Sequence, residues 1–224
     1  MNPRELTRKL KTLKNHMQPK SLTVGIFVFD DVEVLDFAGP FEVFTVADRT
    51  QPMAPFHPLL ISEKPGPIKA RGNFVVLPHH DFSNAPVLDM VLIPGGGGRR
   101  PDGTGFGTRL EQHNLRLREW LLESAQSARR VMSVCSGALV LAQSGLLDGK
   151  KATTHRGAYG ELRAIGRNIE VIEDVKHVDT GKVISSGGIS AGIDMALTVV
   201  GQTLSFDVAQ KTADYMEYDW LAPV

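Results

Sequence analysis

The chain has 224 residues, of which 42% are hydrophobic, with 25 basic and 25 acidic side chains. That length and apolar content suit a folded core rather than disorder, and a net charge of zero leaves no electrostatic footprint for nucleic acid. No apolar run is long enough to span a bilayer and no signal-peptide core opens the chain, so a cytoplasmic protein with no membrane partner is expected.

Charge is unevenly spread. Residues 1–20 carry Arg4, Arg8, Lys9, Lys11, Lys14 and Lys20 against Glu5, a net of +5 that leaves −5 for the remainder. Asn2-Pro3-Arg4-Glu5 has the form of a helix start, and Leu6, Leu10, Leu13 and Met17 follow on one face. A basic N-terminal helical extension over 1–20 is therefore expected, then one α/β domain over 21–224.

Leu22 to Phe29 is a continuous apolar run, the pattern of a buried parallel strand. A helix is expected from near Asp36 or Pro40 to about Ala47, and a strand over Phe56–Ile61. A turn at Lys64-Pro65-Gly66-Pro67 and a strand at 73–77 follow. Leu88–Ile93 reads as another buried strand, stopped by Pro94 and four glycines. Beyond it come one long helix over Thr108–Ala128, a strand over Arg130–Val134 and a helix over Ser136–Leu146. Val171–Val183 reads as short paired strands around Thr180-Gly181, and Ser190–Leu204 and Val208–Tyr218 as the last helices. Strands alternating with helices through short loops predict a doubly wound, mainly parallel sheet of the flavodoxin-like sandwich class.

The one cysteine, Cys135, can form no internal disulfide and gives no basis for a zinc site. It falls where a strand runs directly into a helix, with Ser133 and Gly137 as small neighbours. That is the layout of a nucleophile elbow, in which small residues permit a strained turn that exposes the side chain. The helix N-terminus is expected to hold the thiol below its ordinary value of about 8.5. A lone cysteine without such context is more often a small buried hydrophobe.

Asp36 lies between apolar residues after the first strand, on the sheet edge where strand C-termini line a site; it serves either there or as a helix N-cap. Gly95 and Gly96, directly after a buried strand, could aim backbone N–H groups at a developing oxyanion. His155 could serve Cys135 as a base or be a hydrogen-bonded structural residue. His79-His80 looks like a metal pair, but adjacent strand residues point apart and no other ligand cluster accompanies them.

Together these residues resemble the ThiJ/PfpI superfamily, which shares the class I glutamine amidotransferase-like fold, over about residues 21–218. The markers are Ile93-Pro94-Gly95-Gly96, Val134-Cys135-Ser136-Gly137, Ala152-Thr153-Thr154-His155 and the segment from Gly187 to Asp194. Leu35-Asp36-Phe37-Ala38-Gly39-Pro40 is similar to two groups within it, the isocyanide (isonitrile) hydratases and the sensor domains of AraC-type regulators. Ser136 replaces the histidine of the protease-like branch, and no helix-turn-helix region is found, so the hydratase-like reading leads. The hydratase pattern has threonine where Ser136 stands, and Arg156 replaces an aromatic residue that often follows the histidine.

The resemblance implies a homodimer acting on a small molecule without metal or organic cofactor. It casts Cys135 as nucleophile, Asp36 as general acid and base, and Ser136 as a partner of the acid or the water. Gly95 and Gly96 would be the backbone donors and His155 an accessory group. The rival readings are another thiol-dependent hydrolase or carbonyl-acting enzyme that recruits His155, and a non-enzymatic small-molecule or redox sensor.

Overall fold

Strands that are apolar on both faces need helices on both faces, and the chain supplies them. The structure, a computed structural model, describes residues 21–51 and 55–222. The helix expected over 1–20 lies outside the described residues. β1 (Leu22–Phe27) leads into α1 (Val34–Arg49) and β2 (Phe56–Ser62). A hairpin of β3 (Ile68–Ala70) and β4 (Phe74–Val76) precedes the two-residue β5 (His80–Asp81). β6 (Met90–Ile93) opens onto a second hairpin, β7 (Gly97–Arg99) and β8 (Gly105–Gly107), followed by α2 (Thr108–Glu111) and α3 (Leu115–Ser127). β9 (Arg130–Ser133) runs into α4 (Gly137–Gln143). α5 (Tyr159–Ile165) connects β10 (Lys151–Ala152) to its parallel partner β11 (Glu170–Val171). The hairpin β12 (His177–Asp179) and β13 (Val183–Ser186) precedes α6 (Ala191–Thr203) and α7 (Phe206–Tyr215).

Seven strands form one sheet in the order β12-β13-β9-β6-β1-β2-β5, and only β12 with β13 is antiparallel. Leaving out the two-residue β5, the parallel strands follow the 2-1-3-4-5 order of flavodoxin-like sheets. The doubly wound class is therefore the observed one. The order reverses between β1 and β6, so right-handed crossovers put α1 on one face and α3 and α4 on the other. α6 and α7 pack with α1. Between the layers, Val24, Ile26, Val91, Leu92, Val131 and Met132 are completely buried. Chains leaving β1 and β6 diverge at the reversal, which is where such sheets open a crevice.

Several elements differ from expectation for identifiable reasons. The single helix over Thr108–Ala128 is two, because the Asn114 side chain accepts from the N–H of Arg116 (3.0 Å) and Leu117 (3.2 Å) and so caps a new start. α1 begins at Val34, and Pro40 sits inside it with no N–H to offer the Asp36 carbonyl. The strand expected at 73–77 pairs only within its own hairpin, outside the main sheet. α5 and the short β10 have no long apolar period, and the sequence pattern does not show them.

One glycine sets how closely the layers meet. A Cβ on Gly137 would lie 2.1 Å from the Ile93 carbonyl oxygen, so α4 begins against the end of β6 only because residue 137 has no side chain. Gly160, on exposed α5, has nothing within 4 Å of such a Cβ. We expect Gly137→Ala to cost at least about 2 kcal/mol by overpacking. Gly160→Ala is expected to be neutral or stabilising by up to about 1 kcal/mol through helix propensity. Urea denaturation midpoints of the two variants compare them directly.

Candidate active site

β9 delivers Cys135 to the edge of the crevice in a left-handed backbone conformation, φ 56°. For a residue with a Cβ this costs on the order of 1–3 kcal/mol and persists only where the surroundings over-determine it. Here they do. The Cys135 N–H donates to the Gly187 carbonyl (3.0 Å), the Thr154 hydroxyl donates to the Cys135 carbonyl (2.7 Å), and the Gly137 N–H closes the turn onto Val134 (2.9 Å). The elbow is thus clamped from β13's end and from the segment after β10.

Asp36 stands in the first turn of α1 and is fully buried. It does not cap its own helix. Its Oδ2 accepts the Gly95 N–H at 3.0 Å, across the point where the strand order reverses. Oδ1 has no N–H or O–H partner among the described residues, and the Cys135 thiol is set against the carboxyl. Burial lifts the carboxyl from its ordinary 3.8 to about 7; the Gly95 N–H pulls the other way, the nearby Glu33 charge adds to the rise, and the thiol opposes it.

The same burial acts on the sulfur. Desolvation first and the Asp36 charge second push the Cys135 thiol up to about 12, while the backbone N–H groups of Ser136 and Ile189 pull it down without offsetting the rise. The expected depression of the thiol is thus overturned. The N-terminus of seven-residue α4 contributes through one N–H, and burial beside a carboxyl outweighs it. The pair shares its protons, releasing one around neutral pH and keeping the second far into the alkaline range.

Two further expectations are corrected. The N–H groups of Gly95 and Gly96 are not free to receive an oxyanion, because Gly95 serves Asp36 and Gly96 donates to Ser136 Oγ at 3.2 Å. Ser136 lines the cleft but does not bond the acid: its hydroxyl takes the Gly96 N–H and donates to Thr108 Oγ1 at 3.1 Å, tying the glycine loop to α2. His155 Nδ1 accepts from the Gly157 N–H (3.1 Å), and the ring lies over Gly188, where a Cβ would come within 2.2 Å of it. It shares the cleft with Cys135 but hydrogen-bonds to neither Cys135 nor Asp36. His79 and His80 are absorbed locally, by the Leu60 N–H and by Asn84.

Cys135 opens onto a cleft of about 440 Å³, walled by Glu33, Arg71, Arg109, His155, Ile189 and the glycine loop. A neighbouring hollow of about 600 Å³ shares His155 and Ile189 but lacks the sulfur. Three contributors are not evident from the sequence. Thr154 lies beside the histidine in one of the marker runs, and Ile189 inside a marked glycine segment. Nothing in the sequence announces that Ile189 takes φ 46° and turns its N–H to the sulfur. Arg109 carries no signal at all.

Comparison with known proteins adds the relatives. The model of the DJ-1/PfpI family matches residues 22–202. An isonitrile hydratase from Pseudomonas putida is 33% identical over 198 residues, 88% of this chain and 79% of that protein. The HTH-type transcriptional regulator GbdR of Pseudomonas aeruginosa is 22% identical over 88% of this chain, which spans 51% of the regulator. Among solved structures, a ThiJ/PfpI family protein from Pseudomonas syringae superposes with a TM-score of 0.77 at 24% identity, covering 92% of this chain and 79% of that one.

The buried acid makes a pH signature. A carboxyl whose folded value is raised binds a proton that the unfolded chain has released, so its contribution to stability is full below about pH 4 and is lost as pH rises through about 7. We expect Asp36→Asn, which keeps an acceptor for the Gly95 N–H, to be more stable than wild type by a few kcal/mol at about pH 8 and to lose that advantage near pH 4. Denaturant titrations at both pH values give the difference. The same substitution removes a charge from beside the sulfur, so the thiolate absorbance of Cys135 is expected to rise at lower pH than in wild type.

Proposed function

The chain belongs to the DJ-1/PfpI family, and within it we propose that it hydrates small isocyanides to N-substituted formamides. The observation that carries this reading is the buried Asp36–Cys135 pair, thiol against carboxyl at the edge of an open cleft, with the carboxyl raised to about 7. An isocyanide, R–N≡C, is unusual in taking a nucleophile and a proton on the same terminal carbon. A sulfur and a carboxyl set against one another deliver both to one atom. The similarity to an isonitrile hydratase supports the same chemistry.

In this scheme Asp36 takes the thiol proton as the Cys135 sulfur attacks the terminal carbon. It then returns the proton to that carbon, giving the thioimidate R–N=CH–S on Cys135. The N–H groups of Ser136 and Ile189 stabilise negative charge on the sulfur as it forms and again as it leaves. Asp36, ionised once more, draws a proton from water as the oxygen adds to the thioimidate carbon, and that proton passes to the nitrogen. Collapse of R–NH–CH(OH)–S breaks the carbon–sulfur bond, the hydroxyl proton returns to the sulfur through Asp36, and R–NH–CHO departs. A raised carboxyl value suits this role, because the group must both accept and donate near pH 7.

The similarity to transcription regulators supports a second reading, in which the cleft binds a ligand without turning it over. Mass spectrometry of purified protein with a panel of isocyanides separates the two. We expect formamide to accumulate, no product with Cys135→Ala, and a loss of at least about 100-fold with Asp36→Asn. Isocyanide binding without formamide selects the second reading.

A further inference from the structure

We infer that Arg109 selects isocyanides whose substituent carries a carboxylate; the inference rests on the proposed hydration and names its substrate class. The full charges on the wall of the Cys135 cleft belong to Glu33, Arg71 and Arg109. Glu33 and Arg71 pair with each other at 3.2 Å and cancel. Arg109 donates from Nε and Nη2 to Glu161, the latter at 2.6 Å, but Glu161 also accepts from Arg99 at 3.1 Å. One carboxylate thus serves two guanidinium groups, so the Arg109 charge on the wall is only partly neutralised by Glu161.

That charge is fixed in place and poorly hydrated. The Arg109 side chain is 13% exposed, against 58% for Arg71. Its stem fits where Gly105 has no side chain, since a Cβ there would lie 2.8 Å from the Arg109 Cβ. The residue before it, Thr108, is tied to Ser136 next to the cysteine. With one edge of the planar guanidinium committed to Glu161, Nη1 has no acceptor among the described residues. A rigid guanidinium with an open donor, little water and surplus charge favours a carboxylate in a set position. A neutral substituent gains nothing from it.

The test compares isocyanoacetate with its neutral methyl ester. Wild type is expected to favour the acid in kcat/KM by about tenfold or more, mostly through KM, as for a charge-assisted hydrogen bond. Arg109→Gln is expected to bring the two substrates level, and Arg109→Lys to keep part of the preference. A second readout needs no turnover: the rates at which iodoacetate and iodoacetamide alkylate Cys135, taken as a ratio relative to that of glutathione. The ratio is expected to exceed one in wild type and to fall about tenfold in Arg109→Gln. If both esters and acids are hydrated without preference and the alkylation ratio matches glutathione, the inference is overturned while hydration stands. If neither isocyanide is hydrated, the hydration reading falls and the alkylation ratio alone decides whether Arg109 selects anions. Should Arg109→Gln not fold, the wild-type ratio against glutathione still distinguishes a cleft that prefers anions from one that does not.

Discussion

Three segments converge on a point that holds no side chain. A Cβ on Gly95 would lie 2.6 Å from the Ser136 nitrogen, 2.7 Å from its Oγ and 2.9 Å from Asp36 Oδ2. The ends of β6, α1 and α4 therefore approach one another as closely as backbone allows, and Gly137 repeats the condition against Ile93. From this packing the rest follows. The Gly95 N–H can reach Asp36 across the strand reversal, the carboxyl is shut away from water, and the elbow at Cys135 is pressed against it. A sheet of this class offers a crevice between diverging chains. Here glycines narrow its floor so that the sulfur meets the cleft while the carboxyl stays buried beside it.

The electrostatics of that floor are ruled by exclusion of water rather than by backbone dipoles. Two N–H groups face the sulfur, yet the thiol still rises to about 12, because removing a thiolate from water beside a carboxyl costs more than those donors return. The Asp36 carboxyl rises to about 7 for the same reason. The floor thus tolerates one negative charge and resists two. A single mobile proton is a different device from a permanently ionised thiolate, and it suits additions in which the attacking atom and the proton finish on the same carbon.

Much of this arrangement is legible in the sequence, and what is not has a physical explanation. Continuous apolar strands and their alternation with helices reveal the sheet class, because burial on both faces leaves no polar period. The small-x-Cys-x-Gly run reveals the elbow, because few other residues fit so sharp a turn. Asp36 stands out as a carboxylate among apolar neighbours, although its partner is visible only in space. The split of Thr108–Ala128 turns on one asparagine choosing its backbone partners, a contest that composition alone does not decide. Gly95 and Gly96 are sites of close approach, as their place after a buried strand suggests, but they are not open donors, since a sequence does not show which acceptor a backbone N–H finds. Thr154 and Ile189 act through loop conformation, which leaves little trace in residue type, and Arg109 acts from a one-turn helix that carries no apolar period.

The proposed chemistry and the inferred selectivity occupy different kinds of connection in this fold. The sulfur and the acid sit at junctions of a few residues, locked by glycines that admit no substitution without displacing a neighbouring backbone. Arg109 sits at the end of a longer excursion, the β7–β8 hairpin and α2, at whose tip a Cβ on Gly103 would meet nothing within 4 Å. Residues at that tip can be lengthened, shortened or recharged while the floor stays still. The proposed chemistry would thus have a fixed reactor and an exchangeable doorway, and diversification of its diet would be written at the hairpin tip, residues 100–104, long before it touched Cys135.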